Sequence, residues 1–229
     1  MRGALGLVAI LAVCTTRPAM AQGGNPRFAV LPFENTGSYG QDREVFEGLE
    51  LGLAAMIARV IARHPGADVV RQTQLREVMR KLDLGPAQRV DAASAAQVGK
   101  GTGARYAITG SFADFYGKFR INARLVNAES GEIVKVVSND DPKLQDRAQL
   151  AAIVQTVGEK VTSAAGLPPY PAGSPPPAIP TDAITAYSRG LLHESRGERA
   201  KAREFYQSAL AAFPQFEEAR EALGRVKGG

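Results

Sequence analysis

The first half of the chain alternates short apolar runs with apolar stripes at helical spacing. The run over 28–33 (FAVLPF) predicts a strand that is covered on both faces. From Arg43 apolar residues recur on one helical stripe until His64-Pro65-Gly66, which predicts one long amphipathic helix. Three further elements are predicted: a strand over 68–71, a helix over 74–82 with Thr73 as its cap, and an alanine-rich helix over 92–100.

The pattern then changes to strands joined by short turns. Strands are predicted over 106–115, 119–127 and 132–138. The middle one alternates apolar and polar residues, which indicates a sheet with one more solvent-exposed face. The short connections predict antiparallel hairpins. A helix over 143–164 should pack on this sheet through an apolar face that includes Leu144 and Leu150. Residues 22–165 thus predict an α/β (α+β) domain, a mixed sheet with C-terminal antiparallel hairpins flanked by helices.

Residues 166–181 form a proline-rich segment. Seven of the fourteen prolines lie between Leu167 and Pro180, with little around them that could form a core. This composition predicts an extended, semi-rigid linker. An alternative is a ligand for a groove that accepts polyproline II helices.

Residues 182–229 contain small, aromatic and proline residues at a characteristic spacing: Gly190, Gly197, Ala202, Tyr206, Ala209 and Pro214. This spacing resembles that of a tetratricopeptide repeat, a helical hairpin, which is followed here by a predicted capping helix over 217–226. Three positions depart from the repeat pattern, because polar residues replace large apolar ones: Arg189, His193 and Arg199.

A single repeat cannot bury its own apolar face. We therefore expect it to dock on the α/β domain, on another subunit or on a partner. The inner face of the first helix predicts Tyr187, Leu191 and Glu194 as partner-binding residues. The alternative is that these three residues only pack against the capping helix.

The N-terminus has the pattern of an export signal. Met1 and Arg2 precede an apolar run over 4–13, and Ala19 and Ala21 are small residues just before an expected signal-peptidase cleavage site. This pattern predicts a signal peptide over 1–21. Cys14 offers an alternative, acylation as a lipoprotein with outer-membrane association, which Val13 before it disfavours. The expected location is the periplasm.

Charge and residue types argue against several functions. Removing residues 1–21, which hold Arg2 and Arg17 and no acid, lowers the formal net charge from +5 to +3, too little for a nucleic-acid binder. The two histidines, His64 and His193, lie in different domains, so neither a metal site nor a catalytic triad is expected. The glycine-rich segment 99–103 closes a helix instead of opening one, which favours a helix C-terminal turn over a phosphate loop. We expect no cofactor and no enzymatic activity.

Four segments follow one another over about residues 27–139: FAVLPFENTG, VVRQTQLREVMRKLDL, DAASAAQVGKGTGARYAITGSF and INARLVNAESGEIV. In order and spacing they resemble the curli assembly/transport component (CsgG) family, and they are similar to segments in the N-terminal domain of TolB-like proteins and in peptidoglycan synthase activator lipoproteins. The resemblance implies a non-catalytic cell-envelope accessory or assembly protein that binds protein partners.

Two alternatives follow from the same resemblance: a regulator or activator of peptidoglycan synthesis or of a Tol-type complex, and a ring-forming periplasmic subunit of a secretion complex. Curli channels carry long hairpins that insert into the outer membrane, whereas the predicted connections here have three and four residues. We therefore expect a periplasmic scaffold that does not form a pore alone. The sequence leaves homo-oligomerisation open.

Overall fold

A computed structural model describes residues 24–38, 42–85, 90–139, 144–171 and 178–228. The predicted signal peptide, its cut and Cys14 lie outside these residues. The strands are β1 (Arg27–Asn35), β2 (Asp68–Val69), β3 (Tyr106–Phe115), β4 (Lys118–Asn127), β5 (Ile133–Ser138) and β6 (Gln145–Asp146). The helices are α1 (Arg43–Ala62), α2 (Gln72–Lys81), α3 (Ala92–Thr102), α4 (Leu150–Ala164), α5 (Thr181–Ser195), α6 (Arg199–Ala212) and α7 (Glu217–Lys227).

The strands form one mixed six-stranded sheet in the order β2-β1-β3-β4-β5, with β6 paired to β4. β1 runs parallel to β2 and β3, whereas the pairs β3–β4, β4–β5 and β4–β6 are antiparallel. The hairpins form because the connections are too short for a crossover. The predicted mixed sheet with antiparallel C-terminal hairpins and flanking helices is confirmed.

Helices cover both faces of the sheet. Alternate residues of β1 point to opposite faces: Phe28 and Val30 belong to the larger core with α1 and α4, and Ala29 and Leu31 to the smaller core with α2 and α3. This explains why β1 is apolar on both faces from Phe28 to Phe33. The larger core extends without a break into α5, α6 and α7, through residues such as Phe216.

The structure corrects the predicted helix over 143–164, of which residue 143 lies outside the described part. Gln145 and Asp146 form β6, residues 147–149 form a short 3-10 turn, and the α-helix begins only at Leu150. Two contacts fix this arrangement: Arg147 N–H donates to Gly117 O (2.7 Å) and Asp146 caps the turn at Ala148 N–H (2.9 Å). Leu144, predicted on the inner face, is 37 % exposed.

Two smaller predictions also need correction. α2 begins at Gln72, with Arg71 at the cap position, so Thr73 lies inside the helix and is not its cap. The helix starts early because Leu75 N–H already donates to Arg71 O (3.0 Å). The strand predicted over 68–71 is reduced to Asp68–Val69.

α3 ends in the turn that its glycines predict. Gly103 has φ 68°, in the left-handed region, and Ala104 N–H donates back to Gly99 O (2.9 Å). Gly99 also allows close packing, since a methyl group there would lie 2.6 Å from Ala128 Cβ. The 99–103 segment is therefore a helix terminus that packs on the sheet.

Asn139 satisfies the backbone of β4 where β5 ends. Its side-chain oxygen accepts from Ile121 N–H (2.7 Å) and its amide donates to Phe119 O (2.9 Å). The residue is only 4 % exposed. A buried amide thus takes the place of a strand neighbour between β5 and β6.

The described parts of the proline-rich segment pack on the α/β domain. Tyr170 Oη donates to Val60 O (3.0 Å), His64 Nε2 lies 2.9 Å from Pro168 O, and Ile179 is 5 % exposed. The prediction that this segment adds little to the core is wrong for Tyr170 and Ile179. Ile179 belongs to the larger core, and Tyr170 is partly buried against it.

Candidate partner-binding groove

The repeat lobe (α5, α6 and α7) docks on the sheet lobe (β1 to α4) where α5 crosses α1. Gly48 and Gly52, one helical turn apart, face Ser188. A methyl group at Gly52 would overlap Ser188 Oγ and lie 2.5 Å from its Cβ, and one at Gly48 would lie 3.0 Å from the backbone N of Arg189. Only glycine at these positions allows the two helices to lie so close.

Two departures from the tetratricopeptide pattern are docking residues. Arg189 Nη2 lies 2.6 Å from Glu44 Oε1, and His193 Nε2 lies 3.2 Å from the same oxygen. The His193 ring stacks on Phe205, and its Nδ1 lies 2.8 Å from Glu198 Oε2. Polar side chains replace apolar ones at 189 and 193 because α1 presents a carboxylate there. Arg199 is exposed, and nothing in the structure explains it.

These contacts favour ionised carboxylates. The hydrogen bond from Arg189 lowers the pKa of Glu44, and the hydrogen bond with His193 lowers the pKa of Glu198, both below an ordinary value of 4.5. A group whose pKa is lower in the folded state stabilises the fold above its unfolded-state pKa. That stabilisation is lost as the pH falls through the folded-state pKa.

We therefore expect docking to weaken below about pH 4.5. Because the Glu44 side chain is 42 % exposed, its part should be below about 1 kcal/mol. Thermal melts should show Glu44→Gln about 2 °C below the parent at neutral pH, with the deficit shrinking as the pH falls below about 4.5. Glu204→Gln, on the exposed side of α6, is the control. A Glu44→Gln deficit that stays constant with pH would contradict this assignment.

A groove of about 790 Å³ lies between the two lobes, and we call it the interlobe groove. Its floor is the small-residue face of α1, its first wall is α2 with the end of β2, and its second wall is α5 with α7. The residues that define it are Ala54, Ala55, Ala58, Arg59, Arg71, Leu75, Arg76, Met79, Arg80, Tyr187, Leu191, Glu194, Glu218 and Arg225. The groove is an apolar channel with charged walls.

All three residues predicted to bind a partner line this groove. Tyr187 is only 5 % exposed, and its ring packs against Tyr206 and Phe216, at centroid distances of 5.9 and 4.9 Å. Leu191 is half-buried. Tyr187 therefore packs inside the repeat lobe beneath the groove wall, whereas Leu191 exposes apolar surface to the groove.

Glu194 is held in place from within the repeat lobe. It accepts a hydrogen bond from Tyr206 Oη (2.5 Å) and two from Arg225 (3.2 and 3.1 Å). Burial opposes its ionisation, but these bonds outweigh burial and keep the pKa of Glu194 below its ordinary value. Glu194 is thus an ionised carboxylate with fixed orientation. It contacts the capping helix through Arg225 and also lines the groove, and its role in binding a partner stays a prediction.

Arginines concentrate on the α2 wall. Arg71, Arg76 and Arg80 are exposed there. Arg76 Nη1 lies 3.7 Å from Glu194 Oε1 across the groove, and Arg59 is paired with Glu218 at 2.5 Å on the opposite wall. Burial raises the pKa of Glu218. The α2 wall is therefore the basic side of the groove.

Sequence reasoning missed the floor and the basic wall. It assigned no role to the alanines of α1 or to the arginines at 71, 76 and 80. The sequence did contain a signal for the floor. Gly48, Gly52, Ala54, Ala55 and Ala58 are small residues close together on one helix, and such a helix can be approached closely by other elements.

Two kinds of feature are absent from the residues that the structure describes. Across these ranges no three His, Cys, Asp or Glu side chains are grouped so that they could hold a metal ion. No described helix combines the length and apolarity needed to cross a membrane.

The tetratricopeptide repeat family model matches residues 183–226, so the C-terminal lobe is a tetratricopeptide-type repeat, as the sequence predicts. The match covers about a fifth of the chain. No curated protein matches this chain. The predicted resemblance of the sheet lobe to the CsgG family stays a prediction.

Solved structures give weak likenesses. The LpoB C-terminal domain from Escherichia coli is 15 % identical, with 50 % of this chain and 80 % of that chain covered and a TM-score of 0.38. TolB from Acinetobacter baumannii is 14 % identical, with 63 % and 28 % covered and a TM-score of 0.37. A PelC dodecamer from Paraburkholderia phytofirmans is 16 % identical, with 66 % and 93 % covered and a TM-score of 0.31. Scores this low carry no functional argument.

Proposed function

We propose that this chain is a non-catalytic accessory protein of the cell envelope that binds a protein partner in the interlobe groove. The observation that carries the proposal is the position of Leu191. It lies on a tetratricopeptide-type helix, opposite the apolar and basic wall of α2. Repeats of this type present concave surfaces to other proteins.

The chemistry of the groove favours one kind of occupant, an amphipathic helix with an acidic flank. The alanines of the floor let a helix backbone approach α1, and the half-buried Leu191 offers an apolar contact. The exposed arginines of the α2 wall complement carboxylates. Placement in the envelope rests on the signal pattern over 1–21.

The partner can be identified by site-directed photocrosslinking. A benzoylphenylalanine at Leu191 should give one dominant covalent product in cells that produce the chain, and mass spectrometry should identify it. The same probe at Leu144, a leucine that is also partly exposed but lies outside the groove, is the matched control. Equal products from both positions would argue against the groove as the binding site.

The identity of the crosslinked protein also separates the alternatives. A peptidoglycan synthase or a Tol component would indicate regulation of the cell wall or of the Tol complex. A crosslink between two copies of this chain, with a ring seen by sedimentation, would indicate a secretion-complex subunit and would overturn the adaptor proposal.

Leu191→Glu is expected to weaken binding of the purified crosslinked partner at least about tenfold. The substitution places a charge on the apolar contact and repels an acidic helix. Isothermal titration calorimetry measures the change, and the thermal melt shows whether the fold persists. Leu144→Glu should bind like the parent. An unchanged Kd for a folded Leu191→Glu variant would refute this role for the groove.

A further inference from the structure

β5 is the last strand of the sheet path, and its apolar side chains are exposed. Ile133, Val134 and Val136 are 46, 44 and 52 % exposed. Within the described ranges, β5 pairs with β4 on one side and with no strand on the other. Three exposed β-branched residues on an edge strand form a surface that is suited to accept another strand.

α4 provides a second, independent feature beside this edge. A trough of about 820 Å³ is lined by β5 (Lys135 to Ser138) and by the exposed side of α4, including Thr156, Ser163 and Ala164. These three side chains are small, so they leave room, beside the longer Glu159 and Lys160, for the side chains of a strand placed next to β5. An added strand would thus contact β5 through its backbone and α4 through one face.

The charge of the trough decides the occupant. Lys135 is exposed, and Lys160 Nζ donates to Ser138 O (2.8 Å) at the same edge. The acid in the lining is Glu159, whose carboxylate accepts a hydrogen bond from Gln155. A second copy of the chain would bring another Lys135 and Lys160 to this trough, which like-charge repulsion disfavours. An acidic strand complements it.

We propose that β5 accepts an extended acidic segment of another protein as an additional strand, with its carboxylates toward Lys135 and Lys160 and its apolar residues on the side of Val136. Lys135 then has two effects. It protects the edge against pairing between copies, and it selects an acidic ligand. This site is separate from the interlobe groove and does not depend on it.

The test uses two synthetic peptides of about seven residues, the length of an ordinary strand. One alternates valine with glutamate, and the other alternates valine with lysine. Titrated into the isotopically labelled full chain, the glutamate peptide should shift and protect the backbone amides of β5, including Val136. It should bind about tenfold tighter than the lysine peptide, because two exposed ion pairs form instead of two like-charge contacts.

Reversing the charge on the protein should reverse the preference. Lys135→Glu is expected to bind the lysine peptide better than the glutamate peptide, whereas Lys100→Glu, on an exposed position of α3, should behave like the parent. Leu191→Glu should leave peptide binding unchanged, so failure of the groove proposal and of this one are distinguishable. Equal binding of both peptides, protected amides outside β5, or a dimer that buries β5 would overturn the proposal.

Discussion

Replacing Gly52 by alanine is expected to lower the free energy of unfolding by about 2 kcal/mol, although alanine is the better helix former by about 1 kcal/mol. The added methyl group would lie 2.5 Å from Ser188 Cβ and 3.2 Å from Ser188 Cα. No side-chain rotation relieves a clash with these two atoms. α5 must therefore move away from α1, and the repeat lobe loses part of its contact with the sheet lobe.

A size exchange and a matched glycine test this explanation. Adding Ser188→Gly to Gly52→Ala should restore most of the stability. In the double variant the glycine lies on α5 and the larger residue on α1, so the contact has room again. Gly224→Ala, where nothing lies within 4 Å of the added methyl group, should instead stabilise by up to about 1 kcal/mol. Urea denaturation measures all three, and hydrogen exchange of α5 amides reports the docking. A fully stable Gly52→Ala variant would show that the crossing is less tight than described.

Asn139→Leu is expected to cost about 3 kcal/mol. The leucine keeps the volume but leaves Ile121 N–H and Phe119 O without their partners, and each unsatisfied buried group costs about 1–3 kcal/mol. The loss should appear as a lower urea midpoint together with faster amide exchange at Ile121.

Asn25→Leu is the control for this experiment. Asn25 also donates from its side chain to a backbone oxygen, that of Pro65 (2.9 Å), but at an exposed site where water can replace it. Its replacement should cost less than about 1 kcal/mol. If the two variants lose the same stability, burial is not what makes Asn139 important.

Some elements could be predicted because a single segment contains the whole signal. The alternation of β4 assigns Phe119 and Ile121 to one face whichever strand lies beside them. The repeat lobe was predictable for the same reason, since Gly190 and Tyr206 meet within one hairpin, where a methyl group at 190 would overlap the Tyr206 ring.

Other features depend on partners that are distant in sequence. Residues 145–149 are not α-helical because Arg147 N–H donates to Gly117 O and Asp146 pairs with Lys118. Neither contact can be predicted from the helix propensity of the segment itself. The interlobe groove is of the same kind, since α1, α2 and α5 are brought together only by folding.

The sequence by itself determined which faces of the helices and strands are apolar, where the hairpins turn and that residues 183–226 form a tetratricopeptide-type hairpin, because periodicity and turn residues act within one segment. Only the tertiary structure decided what covers each apolar face. It set the repeat lobe against Gly48 and Gly52, gave Arg189 and His193 a carboxylate to contact, and left Leu191 in a groove and β5 at an edge. Such choices depend on shape and charge between distant residues, which no local pattern specifies.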